Sequence, residues 1–192
     1  SVAATPAETA RDLLSSDLRR ACAGHDPFDP WNAVYDAADT DEPLGKILFT
    51  DIRTYLQDDI LTKVDRASMA VSLEARVPIL DHKLIEWTCR IPTSLKLQGG
   101  RGKAIFRRAL ASRLPDRILN GRKHGFSVPL GRWTRRDFAA ELDGVAAAPA
   151  GGFLDGKRVA ALLEAHRARR ADHSEILYAA LVLDRWVRRW LD

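Results

Sequence analysis

The chain has 192 residues, 46% of them apolar and 29% charged, which is long enough for a core and ordinary for a soluble globular protein. Its longest apolar runs fall far short of the roughly 18 residues a membrane span requires, and no charged-then-apolar leader opens it. Cys22 and Cys89 are its only cysteines, too few for a disulfide framework or a standard zinc site, so a reducing, cytoplasmic setting is expected.

In chain order the pattern is helical. Ala7 to Ala23 carries Leu13, Leu14, Leu18 and Ala21 near the helical period, with Gly24 as a stop. A Pro/Asp turn over His25 to Pro30 leads to a short segment from Trp31 to Ala38. Leu44 to Leu56 places Leu44, Ile47, Leu48, Ile52 and Leu56 on one face. Asp58 then suits the cap of a helix carrying Ile60, Leu61, Val64, Ser68 and Val71. Asp81 is a candidate cap for a helix to Arg90, which Pro92 ends. Gly99, Gly100 and Gly102 predict a turn into a helix from Lys103 to Leu114. A helix over Leu130 to Val145, a small-residue linker over Ala146 to Gly152 and two final helices, Gly156 to Arg170 and His173 to Leu191, complete the reading. No segment has the period of a strand. The predicted class is all-α, a single helical domain over residues 1–192.

The net charge of +4 conceals an asymmetry. Between Arg101 and Arg136 stand 11 Lys or Arg residues and one acid, Asp116, leaving 19 basic and 25 acidic side chains elsewhere. Such a field suits a polyanionic ligand, or is a solvated basic surface. GGRGK (Gly99 to Lys103) fails as a phosphate loop, because Ala104 stands where Mg²⁺ coordination needs Ser or Thr and no buried strand precedes it. Lys123, between Arg122 and His124 and flanked by Gly121 and Gly125, is a better candidate for stabilising phosphate charge; a plain surface loop fits its composition as well. Glu74, Arg76 and Asp81 surround the apolar Val77, Pro78, Ile79 and Leu80, so an ion pair pinning a buried turn is the preferred reading. Asp59, Lys63 and Arg66, at helical spacing, form either a surface salt-bridge ladder or the wall of an anion site. The five histidines and Met69 show no ligand pattern, and no metal site is expected.

DDILTKVDRASMAVSLEARVPILDH, LKLQGGRGK and LPDRILNGRKHGFSVPLGRW, in that order, closely resemble the C-terminal part of glutamine-dependent asparagine synthetases. The resemblance is strong from Pro43 to Trp133 and weaker through DHSEILYAALVLDRWVRRW near the end. Residues 1–42 would be variable lead-in helices and 153–192 the C-terminal helices. It implies the helical C-terminal portion of an ATP-pyrophosphatase-type synthetase domain, without that domain's parallel sheet. It also implies an enzyme that uses ATP and Mg²⁺ to turn aspartate into an acyl-adenylate. Ammonia released from glutamine by a separate N-terminal domain then yields asparagine, AMP and pyrophosphate.

Residue by residue, Lys123 matches the loop lysine that steadies pyrophosphate or adenylate charge, and Arg122 would assist at the nucleotide. Where the family has an acid in the helix before LEARVP, an ungapped match puts Ile60, so Asp59 or Asp58 is the nearby candidate. Glu74, Arg76 and Asp81 match the signature as scaffold. Three departures accompany the match: the chain begins with Ser1, so the family's N-terminal cysteine is missing, and neither an SGGxDS nor an SGEGxDE segment is present. On this view the chain is a C-terminal fragment that alone binds no ATP and makes no asparagine. Its partners would be the glutaminase domain and the nucleotide-binding half of the same protein, with a homodimer as a further option. Its helical faces would lack their cover and be exposed. Related ATP-dependent enzymes that close β-lactams or cyclise peptides share the pattern. A non-catalytic helical module is a second class. Nucleic-acid binding is a third, disfavoured because the basic stretch lacks interleaved aromatic platforms.

Overall fold

Helices dominate residues 7–121 and 128–191, the part of the chain that the computed structural model describes. They fall into two units. One combines Ser1–Pro27 with Gly125–Asp192, and the other is Phe28–His124.

The first unit is built around α13 (Ser174–Trp190). Its buried positions, Ile176, Leu177, Ala180, Leu181, Asp184 and Val187, recur at three- and four-residue steps, the stripe an amphipathic helix presents to a core. Against that stripe pack α11 (Ala139–Ala147) through Leu142 and Val145, and α12 (Gly156–Arg167) through Val159 and Leu163. Asp155 caps α12, accepting hydrogen bonds from the Lys157 and Arg158 amides (3.0 and 3.3 Å). A Cβ on Gly156 would lie 2.4 Å from the Ala146 carbonyl oxygen, so only glycine lets the two helices meet there.

Three predicted elements are corrected in this unit. The expected helix over Ala7 to Ala23 is two, α1 (Ala7–Leu13) and α2 (Ser16–Ala21). Backbone pairing interrupts it: the Ser15 amide donates to Phe153 O (2.8 Å) and the Asp155 amide to Leu13 O (2.8 Å). Ser15 then caps α2 by accepting from the Leu18 amide. The helix expected over Leu130 to Val145 breaks at residues 136–138, between α10 (Leu130–Arg135) and α11. The small-residue linker is tied down: the amide of buried Ala150 donates to the buried Asp184 carboxylate (2.7 Å), which also accepts from Arg188 Nε (2.7 Å). Gly151, at φ +59°, fits because a Cβ there would press on Val187 at 3.0 Å.

The second unit opens with α3 (Asp29–Asp36), and α4 (Pro43–Asp51) follows. α4 runs without interruption through a π-helical stretch, Ile52–Leu61, into α5 (Thr62–Met69). Asp58 therefore caps nothing; it lies inside the π-helical stretch, where Thr62 Oγ1 donates five residues back to Gln57 O (3.0 Å). A 3₁₀ turn (Pro78–Leu80), α6 (His82–Cys89) and α7 (Thr93–Lys96) precede a hairpin of β1 (Leu97–Gln98) and β2 (Arg101–Gly102). Gly99 and Gly100 turn it at φ +53° and +74°, the left-handed pair that a two-residue hairpin requires. Among the described residues this ladder is the one two-stranded sheet, beside an isolated bridge between Leu14 and Leu154 in the first unit. α8 (Ala104–Leu110) and α9 (Asp116–Leu119) end the unit.

The burial of the two units differs in kind. Among the described residues of the second, only Ala104 is buried, while Val71, Ile79, Trp87 and Ile118 are more than half exposed. The exposed apolar faces expected from the resemblance are present. No helix among the described residues is long and apolar enough to cross a membrane.

Candidate functional site

Asp59 lies on the exposed side of the π-helical stretch, 3.4 Å from Lys63 Nζ. The first rung of the expected ladder thus forms; Arg66 joins no ion pair among the described residues. With both partners half exposed, this contact adds little to stability.

The LEARVPILD segment follows a left-handed residue, Ser72 (φ +58°), which closes α5 with the Leu73 amide donating to Ser68 O (3.0 Å). Arg76 Nε donates to Glu74 Oε1 (2.9 Å), the pairing the sequence suggests. The turn is not buried in this chain: the Glu74 and Arg76 side chains are 68% and 82% exposed, and Val77 and Ile79 are open to solvent. Among the described residues of the second unit, none buries them. Asp81 caps α6, its Oδ1 accepting from the Lys83 and Leu84 amides (3.0 and 3.3 Å). Such a cap contributes about 1 kcal/mol.

Lys123 and Arg122 lie outside the described residues. The stem leading to them is built from named contacts: Arg101 Nη2 donates to Asn120 Oδ1 (2.8 Å), joining β2 to the end of α9. A Cβ on Gly121 would sit 2.5 Å from Arg117 O, so glycine is needed there for close packing.

The first unit gathers a polar cluster that sequence patterns did not single out. The His166 side chain is wholly buried. The His173 amide donates to Nδ1 (3.2 Å), which leaves the ring proton on Nε2, 2.9 Å from Thr134 Oγ1. That hydroxyl in turn donates to Leu130 O (2.7 Å). Arg135 Nη1 stands 3.2 Å from Nε2 and Asp172 Oδ1 3.4 Å from Nδ1. Burial, and after it the Arg135 charge, hold His166 below the ordinary histidine value of 6.5. Only its place on α12, facing a threonine 32 positions away in sequence, distinguishes it from the other histidines. Hydrogen bonds from Ser174 and from Arg167 hold Asp172 and Asp143, respectively, below the usual carboxylate range.

A neutral buried histidine makes the unfolded chain the stronger proton binder. Its stabilising contribution is complete above about pH 6.5 and is lost as pH falls through the lower folded value. Thermal unfolding followed between pH 8 and 5 is expected to show this decline, and His166→Gln to flatten it. An equal decline in the variant would assign the pH dependence to other groups. The two carboxylates act in a separate window, below about pH 4.

The family model described as asparagine synthase matches residues 2–188. The chain belongs to the asparagine synthase family. Within that family it is 33% identical over 144 residues to asparagine synthetase [glutamine-hydrolyzing] 1 of Bacillus subtilis, covering 74% of this chain and 23% of that protein. It is 33% identical over 183 residues to a putative asparagine synthetase [glutamine-hydrolyzing] of Mycobacterium bovis, covering 92% and 28%. A more distant similarity, 26% over 156 residues, is to the amidase chry2 of Gibberella zeae. The chain thus spans about a quarter of the length of these curated relatives. No solved structure matches it significantly. The helical architecture accords with a helical portion of this family's synthetase domain.

Proposed function

We propose that the chain is the C-terminal helical part of a glutamine-hydrolysing asparagine synthetase. The observation that carries this is the family match along residues 2–188, with 33% identity over 92% of the chain to the mycobacterial relative. In this reading an oxygen of the aspartate side chain attacks the α-phosphorus of ATP and pyrophosphate leaves. Ammonia then attacks the acyl carbon, a proton departs, and AMP carries off the electron pair. A carboxylate is too poor an electrophile for direct amidation, so adenylation must precede it. Each phosphoryl step gathers negative charge, which Lys123, assisted by Arg122, is proposed to stabilise.

Among the described residues no three His, Cys, Asp or Glu side chains form a metal-binding group. They offer no set of three such ligands for the Mg²⁺ that would accompany ATP. The nucleotide-binding half and the glutaminase domain are proposed to be supplied by the remainder of a longer polypeptide. The exposed faces of the second unit then have their cover in that nucleotide-binding half. On this reading the 192 residues alone are not competent.

The whole polypeptide, given aspartate, ATP, Mg²⁺ and ammonia, is expected to form asparagine, AMP and pyrophosphate one for one. Failure of pyrophosphate release to depend on aspartate would sink the assignment. The similarity to a protein named an amidase makes other carboxylate acceptors the second reading, and acceptor-dependent release with one of those would select it.

A further inference from the structure

A cavity of about 410 Å³ in the first unit is lined, among the described residues, by Arg132, Arg135, Arg136, Arg167 and Arg169 and by no acidic one. Two helix ends build it. Thr134 and His166 meet at 2.9 Å and bring the last turn of α10 against the last turn of α12, so each helix delivers its terminal arginines to one place. Cations favour helix C-termini because the last carbonyls carry partial negative charge. That accounts for one or two arginines, not for five.

Their internal partners do not use up the charge. Arg167 is committed: it donates to both Asp143 oxygens (2.7 and 3.1 Å) and to Ala139 O (2.9 Å). Arg132 is only 4.0 Å from Asp137, beyond hydrogen-bond range. Arg135 faces neutral His166. The side chains of Arg136 and Arg169 have no hydrogen bond or ion pair among the described residues. Arg169 also occupies a costly position. It is the left-handed residue (φ +57°) closing α12, with the Arg170 amide donating to Ala165 O (2.9 Å). Glycine is preferred there, since a Cβ adds roughly 1 kcal/mol of strain. Guanidiniums held together in a concave space repel one another until an anion enters. Their planar forks match phosphate oxygens, two donors at a time. A lining of this kind suits a small, highly charged anion rather than the mostly apolar ligands of ordinary pockets.

We infer that this arginine cavity binds a diphosphate group, with Arg136 and Arg169 as its principal free donors and Arg135 and Arg132 at its sides. Two of the five charges are offset by Asp143 and, more weakly, Asp137, which leaves about three to meet the three to four negative charges of a diphosphate. The site involves neither Lys123 nor the amidation reading.

Isothermal titration of the 192-residue chain with inorganic pyrophosphate tests it, at fixed ionic strength and alongside orthophosphate, ADP and duplex DNA. Pyrophosphate is expected to bind at least tenfold more tightly than orthophosphate. The double variant Arg136→Gln/Arg169→Gln, whose altered side chains have no hydrogen bond or ion pair to lose among the described residues, is expected to weaken it about tenfold or more. The single variant Arg108→Gln in the second unit should leave it unchanged. ADP binding as tightly as pyrophosphate would assign a nucleotide-borne diphosphate; weaker ADP binding would assign the free anion. Equal losses in the double variant and Arg108→Gln would reduce the cavity to a diffuse basic field and overturn the site. So would DNA binding without pyrophosphate binding.

Discussion

Replacing Lys123 by alanine in the whole polypeptide is expected to abolish aspartate-dependent pyrophosphate release while glutamine hydrolysis continues. The expectation rests on what adenylation demands. As the bond to the α-phosphorus forms, charge accumulates on oxygens that carry negative charge already, and a positioned cation stabilises the transition state more than the ground state. Removing one such donor typically costs on the order of a hundredfold or more in rate. Lys123 is the ammonium of the RKHGFSVP segment, entered from a stem that Arg101, Asn120 and Gly121 hold by a 2.8 Å hydrogen bond and close backbone packing. Glutamine hydrolysis is proposed to occur in a separate domain and should be indifferent to the change. Pyrophosphate-release and glutaminase assays on the same preparation, with thermal unfolding of the variant beside them, distinguish a lost charge from a misfolded protein. Unchanged synthetase turnover would remove Lys123 from the mechanism.

The second large effect concerns stability. Leu177→Ala is expected to lower the unfolding free energy of the first unit by about 2–5 kcal/mol, through lost transfer energy and an unfilled cavity. Leu177 has no exposed surface and lies in the cluster formed with Leu142, Val159 and Leu181. Val71→Ala, at a residue 75% exposed, should change stability by no more than about 0.5 kcal/mol. Amide exchange across a denaturant series, read separately in α13 and α6, checks both. A loss under about 1 kcal/mol for Leu177→Ala would mean that α13 is not the centre of the core.

The contrast between these residues reflects what kinds of signal a sequence carries. The last helix, the Asp81 cap and the glycine turn at Gly99 and Gly100 were legible, because each depends on side chains a few positions apart. The capping role of Asp58 misled, since a π-helical turn closes across five residues and keeps the helix running where an N-cap pattern suggests a start. The paired Glu74 and Arg76 were foreseen correctly as a pair. Their burial was not met among the described residues, because burial depends on a covering surface rather than on neighbours in sequence. Likewise Ser15 looked helical until its amide found Phe153 O across the chain.

By itself the sequence determined the helical class, the Asp81 cap and the Gly99–Gly100 turn, the concentration of positive charge before residue 137 and the family. Periodicity, capping chemistry and ordered motifs are written in neighbouring residues. Only the tertiary structure decided that one unit has a core and the other barely any. It alone buried His166 beneath Thr134, and it joined Arg132, Arg135 and Arg136 to Arg167 and Arg169 around one cavity. Those outcomes depend on contacts between residues some 30 positions apart, which only the packing of helix ends brings within reach.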